Sequence, residues 1–232
     1  NGGDSTSLAI MVARAETGRE KIIKIDDGYH GVASWMQRSN SPGTIPSDTD
    51  EIISIEWNAI DELERAISEN TNQIACFISS PYHHPVLKDN VLPEDQYWQK
   101  VESLCRQNGI VLIVDDVRAG FRINLAGSNV AYGFNPDLVC LGKAMGNGYP
   151  ISALVGANHL KKSAEAVYFS GTQFFNAAPM AAAKATLLEL QRIDAVNKME
   201  EYGNNLKSGL VKVAQENKFD LVVSGVPTMP YF

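Results

Sequence analysis

The sequence predicts an α/β protein built on a mainly parallel sheet with helices on both faces. Short apolar, strand-length runs alternate with longer amphipathic stretches along the chain. The run at residues 110–114 is strongly apolar and β-branched, as buried parallel strands are. Chemistry-bearing residues, Asp115-Asp116 and Gly142-Lys143, stand at the ends of two such runs. Open α/β sheets bind ligands at strand ends of this kind.

Taken in order, the chain opens with Asn1-Gly2-Gly3-Asp4-Ser5-Thr6, a glycine-led turn with several candidate caps. An amphipathic helix follows, with Leu8, Met11, Val12 and Ala15 on one face, ending near Thr17-Gly18. A glycine turn feeding a helix N-terminus can hold an anion, although any capped helix looks similar. Residues 21–25 read as a strand that turns at Asp27-Gly28-Tyr29-His30-Gly31. Residues 39–50, rich in Ser, Pro, Thr and Asp, form a loop. A strand at 52–55, a helix at 58–69 with Ile60, Leu63 and Ile67 inward, and a strand at 74–78 come next. A helix at 94–108 stops at Gly109, and strands follow at 110–114, 138–141 and 152–155. Two long helices are expected at 178–192 and 194–216. In the second, Met199, Tyr202, Leu206, Leu210 and Val213 recur at helical spacing and read as core. The expected division is a large domain over residues 1–193. Residues 194–232 then form a linking helix and the start of a smaller C-terminal domain, in a chain that reads as part of a longer polypeptide.

Composition bounds the function. The 232 residues suffice for one large domain with an appendage, and 44% hydrophobic with 20% charged residues is ordinary for a soluble protein. A net charge of −7 argues against nucleic-acid or anionic-membrane partners. No run approaches membrane-spanning length. Cys76, Cys105 and Cys140 are an odd, widely spaced set. They read as buried free thiols in a reducing compartment, and a cytoplasmic location is expected.

Two residues carry the chemistry. Lys143 ends a strand among glycines that let backbone come close, so its amine reads as a nucleophile able to form a Schiff base. Taken alone it is equally a solvated loop lysine. Asp115 shifts the balance, because pyridoxal phosphate needs a lysine for its aldehyde and an acid for its pyridinium nitrogen. The adjacent His83 and His84 invite a metal reading. Their side chains diverge and no Cys or carboxylate stands at ligand spacing, so no metal is expected. A receiver-like signalling module would open with the Leu112-Ile113-Val114-Asp115-Asp116 strand, yet a long α/β stretch precedes it here. A catalytically dead scaffold would have little need of both Lys143 and Asp115.

Together these segments resemble the class III aminotransferases of the fold type I pyridoxal-phosphate enzymes, with a pattern nearest glutamate-1-semialdehyde 2,1-aminomutase. The matching segments are Asn1-Gly2-Gly3-Asp4-Ser5, Thr17-Gly18-Arg19, Tyr29-His30-Gly31, Asn40-Ser41-Pro42-Gly43, Ile74-Ala75-Cys76, Asp115 through Arg122, Leu141 through Pro150, and Gly171-Thr172. The resemblance implies a three-layer αβα domain with a mainly parallel, mixed, seven-stranded sheet. It implies pyridoxal 5'-phosphate as cofactor, with Lys143 and Asp115 as catalytic residues. It further implies Gly3 and Asp4 at the phosphate, Tyr29 and Val117 on the two ring faces, and Gly171 with Thr172 reaching a neighbouring subunit's phosphate in a homodimer. The chain departs from the family pattern at Asp4, Ser80, Asp116, Arg118 and Ala177. Arg118, His83 and His84 become candidate walls of an unusual substrate pocket. Only Val32 to Ser39 separates Gly31 from Asn40, too short for the aminomutase lid. The expected reaction is therefore amino transfer between an amine or amino acid and a keto or aldehyde acceptor, with the aminomutase as the alternative.

Overall fold

In a computed structural model that describes residues 1–37, 41–85 and 87–232, each apolar run becomes a strand of one sheet. Arg38, Ser39 and Asn40 lie outside the described residues, as does Val86; the first three belong to the loop read after Gly31. The strands are β1 (Lys21–Ile25), β2 (Ile52–Ile55), β3 (Ile74–Ser79), β4 (Val111–Asp115), β5 (Leu138–Leu141) and β6 (Ala153–Gly156). Their order is β2-β1-β3-β4-β5-β6. All neighbours run parallel except β6, which pairs antiparallel with β5. Among the described residues the sheet has six strands where the resemblance implies seven. The mainly parallel, mixed, three-layer class is as expected.

Alternation along each strand feeds two cores. Ile23, Phe77, Leu112 and Val114 face one side, against Leu63, Ala66 and Ile67 of α2 (Ile60–Glu69) and Trp98, Val101 and Cys105 of α3 (Tyr97–Gln107). Ile22, Cys76, Ile78, Val111, Ile113 and Cys140 face the other, under α1 (Gly2–Thr17). Burying this much aliphatic surface on both faces is the main force holding the layers together. Two short helices, α4 (Ser128–Tyr132) and α5 (Lys161–Ala166), were not legible as periodic stretches. All three cysteines are free and buried.

Several boundaries moved for backbone reasons. The opening glycine turn is already the first turn of α1, capped by Asn1, whose side chain accepts from the Gly3 N–H at 2.9 Å. Its buried face is Ser5, Thr6, Ala9, Ile10, Val12 and Ala13, and Ala15 is exposed. Small residues win that face because they let the helix lie close on the sheet. Helices α2 and α3 start later than expected because Asn58 and Gln96 hold φ of 65° and 61°, outside helical geometry.

The last helices, α6 (Ala177–Arg192) and α7 (Ala195–Glu216), appear where expected. The α7 stripe does not form a core: Tyr202 and Val213 are 72% and 56% exposed. The helix instead packs through small residues. A Cβ on Gly203 would collide with the Pro227 carbonyl oxygen, so the C-terminal segment seats directly on its backbone. Leu221 to Val223 form no strand; only an isolated bridge joins Ser224 and Tyr231. No described helix is long and apolar enough to cross a membrane.

Candidate active site

The strand order reverses between β1 and β3, and loops leaving the C-terminal ends of β1, β3, β4 and β5 surround a cavity of about 320 Å³. That position and size suit a small-molecule site. Tyr29, His30 and Gly31 come from the loop after β1, and Ser80 and His84 from the loop after β3. Asp115 comes from the end of β4, Val117 and Arg118 from the turn after it, Lys143 from the turn after β5, and Gly2 and Gly3 from the start of α1. Strands β4 and β5 are neighbours, with Asp115 in register with Cys140, so Asp115 and Lys143 open onto the same space.

Asp115 is buried. Its Oδ2 lies 2.8 Å from His30 Nδ1, and its Oδ1 accepts from the Val117 N–H at 3.2 Å. A carboxylate only accepts, so Nδ1 carries the proton of that contact. His30 Nε2 is equally buried and has no partner among the described residues. The Thr6 hydroxyl fixes the loop by donating to the His30 carbonyl at 2.5 Å. Gly31 has φ of 118°, and a Cβ there would stand 2.8 Å from Gly3 Cα. Only glycine brings the β1 loop this close to α1.

Lys143 begins a short 3₁₀ turn with φ of 40°, an uncommon conformation for a residue with a side chain. Holding it costs on the order of 1–3 kcal/mol, and such strain clusters at functional positions. Partial burial lowers the Lys143 pKa; Asp115 opposes that shift, while Arg118 and Arg122 add to it. More of the amine is therefore neutral, and nucleophilic, than in a free lysine. Burial and the adjacent Arg118 pull His84 down to about 4, so it is neutral at pH 7.

Asp116 has another task. It is buried, and its two oxygens accept from the Ser128 N–H at 2.9 Å and the Ser128 hydroxyl at 2.5 Å. Burial raises its pKa to about 6 against those two bonds, with Asp115 adding to the rise. The side chain anchors the start of α4 rather than the cavity.

The structure brings Gly3, Tyr29, Asp115, Val117 and Lys143 to one cavity. Val117 lies against Gly2 and Gly142, and Tyr29 stands 57% exposed at the mouth. Asp4 lines a neighbouring cavity of about 460 Å³, together with Phe169, Gln173, Phe174 and Asn176. Its N–H is bonded to the Asn1 carbonyl at 3.0 Å, and its carboxylate faces the Asn1 backbone nitrogen at 2.6 Å. Gly171 and Thr172 line neither cavity and sit in the exposed loop that borders the second. Of the three candidate wall residues, Arg118 and His84 line the first cavity. His83 does not; its ring stacks on Trp57 at 6.0 Å. The role of His30 behind Asp115 was missed, because nothing in the sequence says which of two neighbouring rings turns inward. No group of three or more described His, Cys, Asp or Glu residues could hold a metal ion.

Compared with known proteins, residues 1–229 match the family Aminotransferase class-III. The chain is 35% identical over 230 residues to the aminopentol aminotransferase of Sphingopyxis macrogoltabida, covering 99% of this chain and 54% of that protein. It is 36% identical over 204 residues to the glutamate-1-semialdehyde 2,1-aminomutase of Methanocaldococcus jannaschii, covering 82% of this chain and 47% of that one. A solved structure of the PLP internal aldimine form of the FumI protein from Sphingopyxis sp. MTA144 superposes with a TM-score of 0.96. That match has 35% identity and covers 99% of this chain and 55% of that one. The chain thus spans about half the length of the relatives it matches.

Proposed function

This chain belongs to the class-III aminotransferase family, and from that premise we propose that the protein moves an amino group between an amine or amino acid and a keto or aldehyde acceptor, using pyridoxal 5'-phosphate. The observation that carries the proposal is the meeting of Lys143 and Asp115 at one cavity on adjacent parallel strand ends.

The residues present suit that cofactor. A buried carboxylate, oriented by His30 and the Val117 N–H, waits at one end for a protonated ring nitrogen. Val117 offers an apolar surface for one ring face, and Tyr29 stands at the rim for the other. Gly3 and Asp4, in the first turn of α1, are the phosphate candidates, since a helix N-terminus favours anions. A phosphate there competes with the Asn1 cap on the Gly3 N–H. When bound, the cofactor supplies an electron sink for a substrate carbon that has lost its proton.

Lys143 would hold the cofactor through its aldehyde, and its amine is placed to move a proton to and from a substrate carbon. Its lowered pKa favours the free base that this work needs. Asp115 would keep the cofactor's ring nitrogen charged, and His30 holds Asp115 in place. Gly171 and Thr172 reach the phosphate of a second subunit, so the working unit is a homodimer. Residues 1–193 form the cofactor-binding unit and 194–232 lead into a further one, in a cytoplasmic enzyme with small-molecule substrates.

The test is a half-reaction. Holoenzyme mixed with a panel of amino donors should lose the cofactor's visible band and release one keto or aldehyde product per site. If glutamate 1-semialdehyde alone is consumed, with no external donor or acceptor, the aminomutase reading replaces this one.

A further inference from the structure

Resting on the amino-transfer reading, we propose that Arg118 determines substrate choice by receiving the carboxylate of an amino or keto acid inside the cavity.

Arg118 is half-buried and lines the cavity beside Lys143. Every other described arginine spends its guanidinium on a carbonyl or a carboxylate. Arg14 bonds the Glu20 carbonyl, Arg19 three carbonyls, and Arg122 the Arg118 carbonyl at 2.9 Å. Arg65, Arg106 and Arg192 pair with glutamates. The Arg118 guanidinium has no hydrogen bond or ion pair among the described residues.

Its neighbourhood explains why an anion is wanted there. Among the described residues Asp115 is the only acid lining the cavity, and both of its oxygens are engaged. Lys143 and Arg122 lie close enough to feel Arg118's charge. His84 is neutral, and its Nε2 is buried without a partner among the described residues. A partly desolvated guanidinium beside other cations is costly until an anion arrives. Its planar fork matches a carboxylate through two parallel N–H···O bonds. Lysine at this position would give a point charge without that fork. On the reading above, the cofactor's phosphate would fall to the first turn of α1, which leaves Arg118 available to a substrate group.

The experiment uses full-length holoenzyme. Alanine, β-alanine and 4-aminobutyrate are each compared with the amine of the same chain lacking the carboxylate. In at least one pair the wild type should prefer the acid, and Arg118→Met should cut that preference roughly 10- to 100-fold, mainly through KM. Arg118→Lys should restore part of it. Calorimetry with butyrate, a plain carboxylate, should show binding to the holoenzyme weakened at least about tenfold in Arg118→Met. Turnover with an unchanged acid-to-amine ratio and unchanged butyrate affinity overturns the assignment while leaving the amino-transfer reading intact. So does an unchanged ratio together with a shifted pH titration of the cofactor's visible band, which moves Arg118 to the cofactor's phenolic oxygen. A protein that binds no cofactor and turns over no donor overturns both.

Discussion

The two ends of the parallel strands carry equally polar residues and treat them in opposite ways. The N-terminal end holds the larger cavity, about 570 Å³, with Glu16, Glu102, Arg106, Asp137 and His159 around it. There the acids are matched. Asp137 accepts from the Leu112 N–H at 2.8 Å, and Glu102 takes Arg106 at 2.6 Å and the Asn135 N–H at 3.0 Å. Glu16 accepts from the Ser163 hydroxyl. Nearby, Arg19 ties the carbonyls of Ile74, Asn108 and Gly109. The C-terminal end has less space but, among the described residues, leaves His30 Nε2, His84 Nε2 and the Arg118 guanidinium without partners and holds Lys143 at positive φ. Native proteins pair their buried polar groups, so the unpaired end is the one shaped for something else to bind. Volume alone would have chosen the other end.

The contrast predicts where substitutions hurt function and where they hurt only stability. Lys143→Ala removes the amine and should lower kcat by at least roughly 10³-fold, since base catalysis alone is worth about 10²–10⁴. The variant should fold, because the turn around it is unchanged; near-normal turnover would break the comparison. Asp115→Asn should cost roughly 10²–10³-fold in kcat/KM, the scale of losing one partner of a buried charge pair. Asp116→Asn, one residue away, should leave kcat within a few-fold. It should lower stability by about 1–3 kcal/mol in denaturant melts, because one Ser128 bond is lost. Equal losses of activity at both aspartates would mean that the ring-facing one has been misassigned.

At the opposite end, Arg19→Met should lower stability by about 1–2 kcal/mol while kcat and KM stay put. A change in KM there would make the N-terminal end part of the site. The smallest expected effect is a pH slope. Asp116 binds its proton more tightly folded, at about 6, than unfolded, near 3.8. The folded state therefore holds the extra proton between those values, and this group's contribution to stability falls as pH rises from 4 to 6. His84 acts in the other direction over pH 4 to 6.5, because it is harder to protonate folded. Asp116→Asn should remove the first slope and leave the second, seen in melts across that range.

Much of the matched architecture was legible in the sequence. Strands such as Ile74–Ser79 and Val111–Asp115 fall on nearly continuous apolar runs and are buried along their whole length. The placement of Asp115 and Lys143 at neighbouring strand ends was legible because each directly follows an apolar run, and the structure brings both to one cavity. What failed was orientation. Tyr29 and His30 are neighbours, and only the three-dimensional approach of Gly31 to Gly3 turns His30 inward onto Asp115. The histidine pair splits in the same way, with His84 in the cavity and His83 on Trp57. On α7, helical spacing marked an apolar stripe but could not say what covers it, and the packing went through Gly203 instead.

The most direct test is chemical trapping on the full-length holoenzyme. Borohydride reduction followed by peptide mass analysis should find the cofactor fixed to the peptide that contains Lys143, with the yellow colour discharged. A protein that takes up no cofactor, or one in which the reduced adduct sits on any other lysine, would contradict the account.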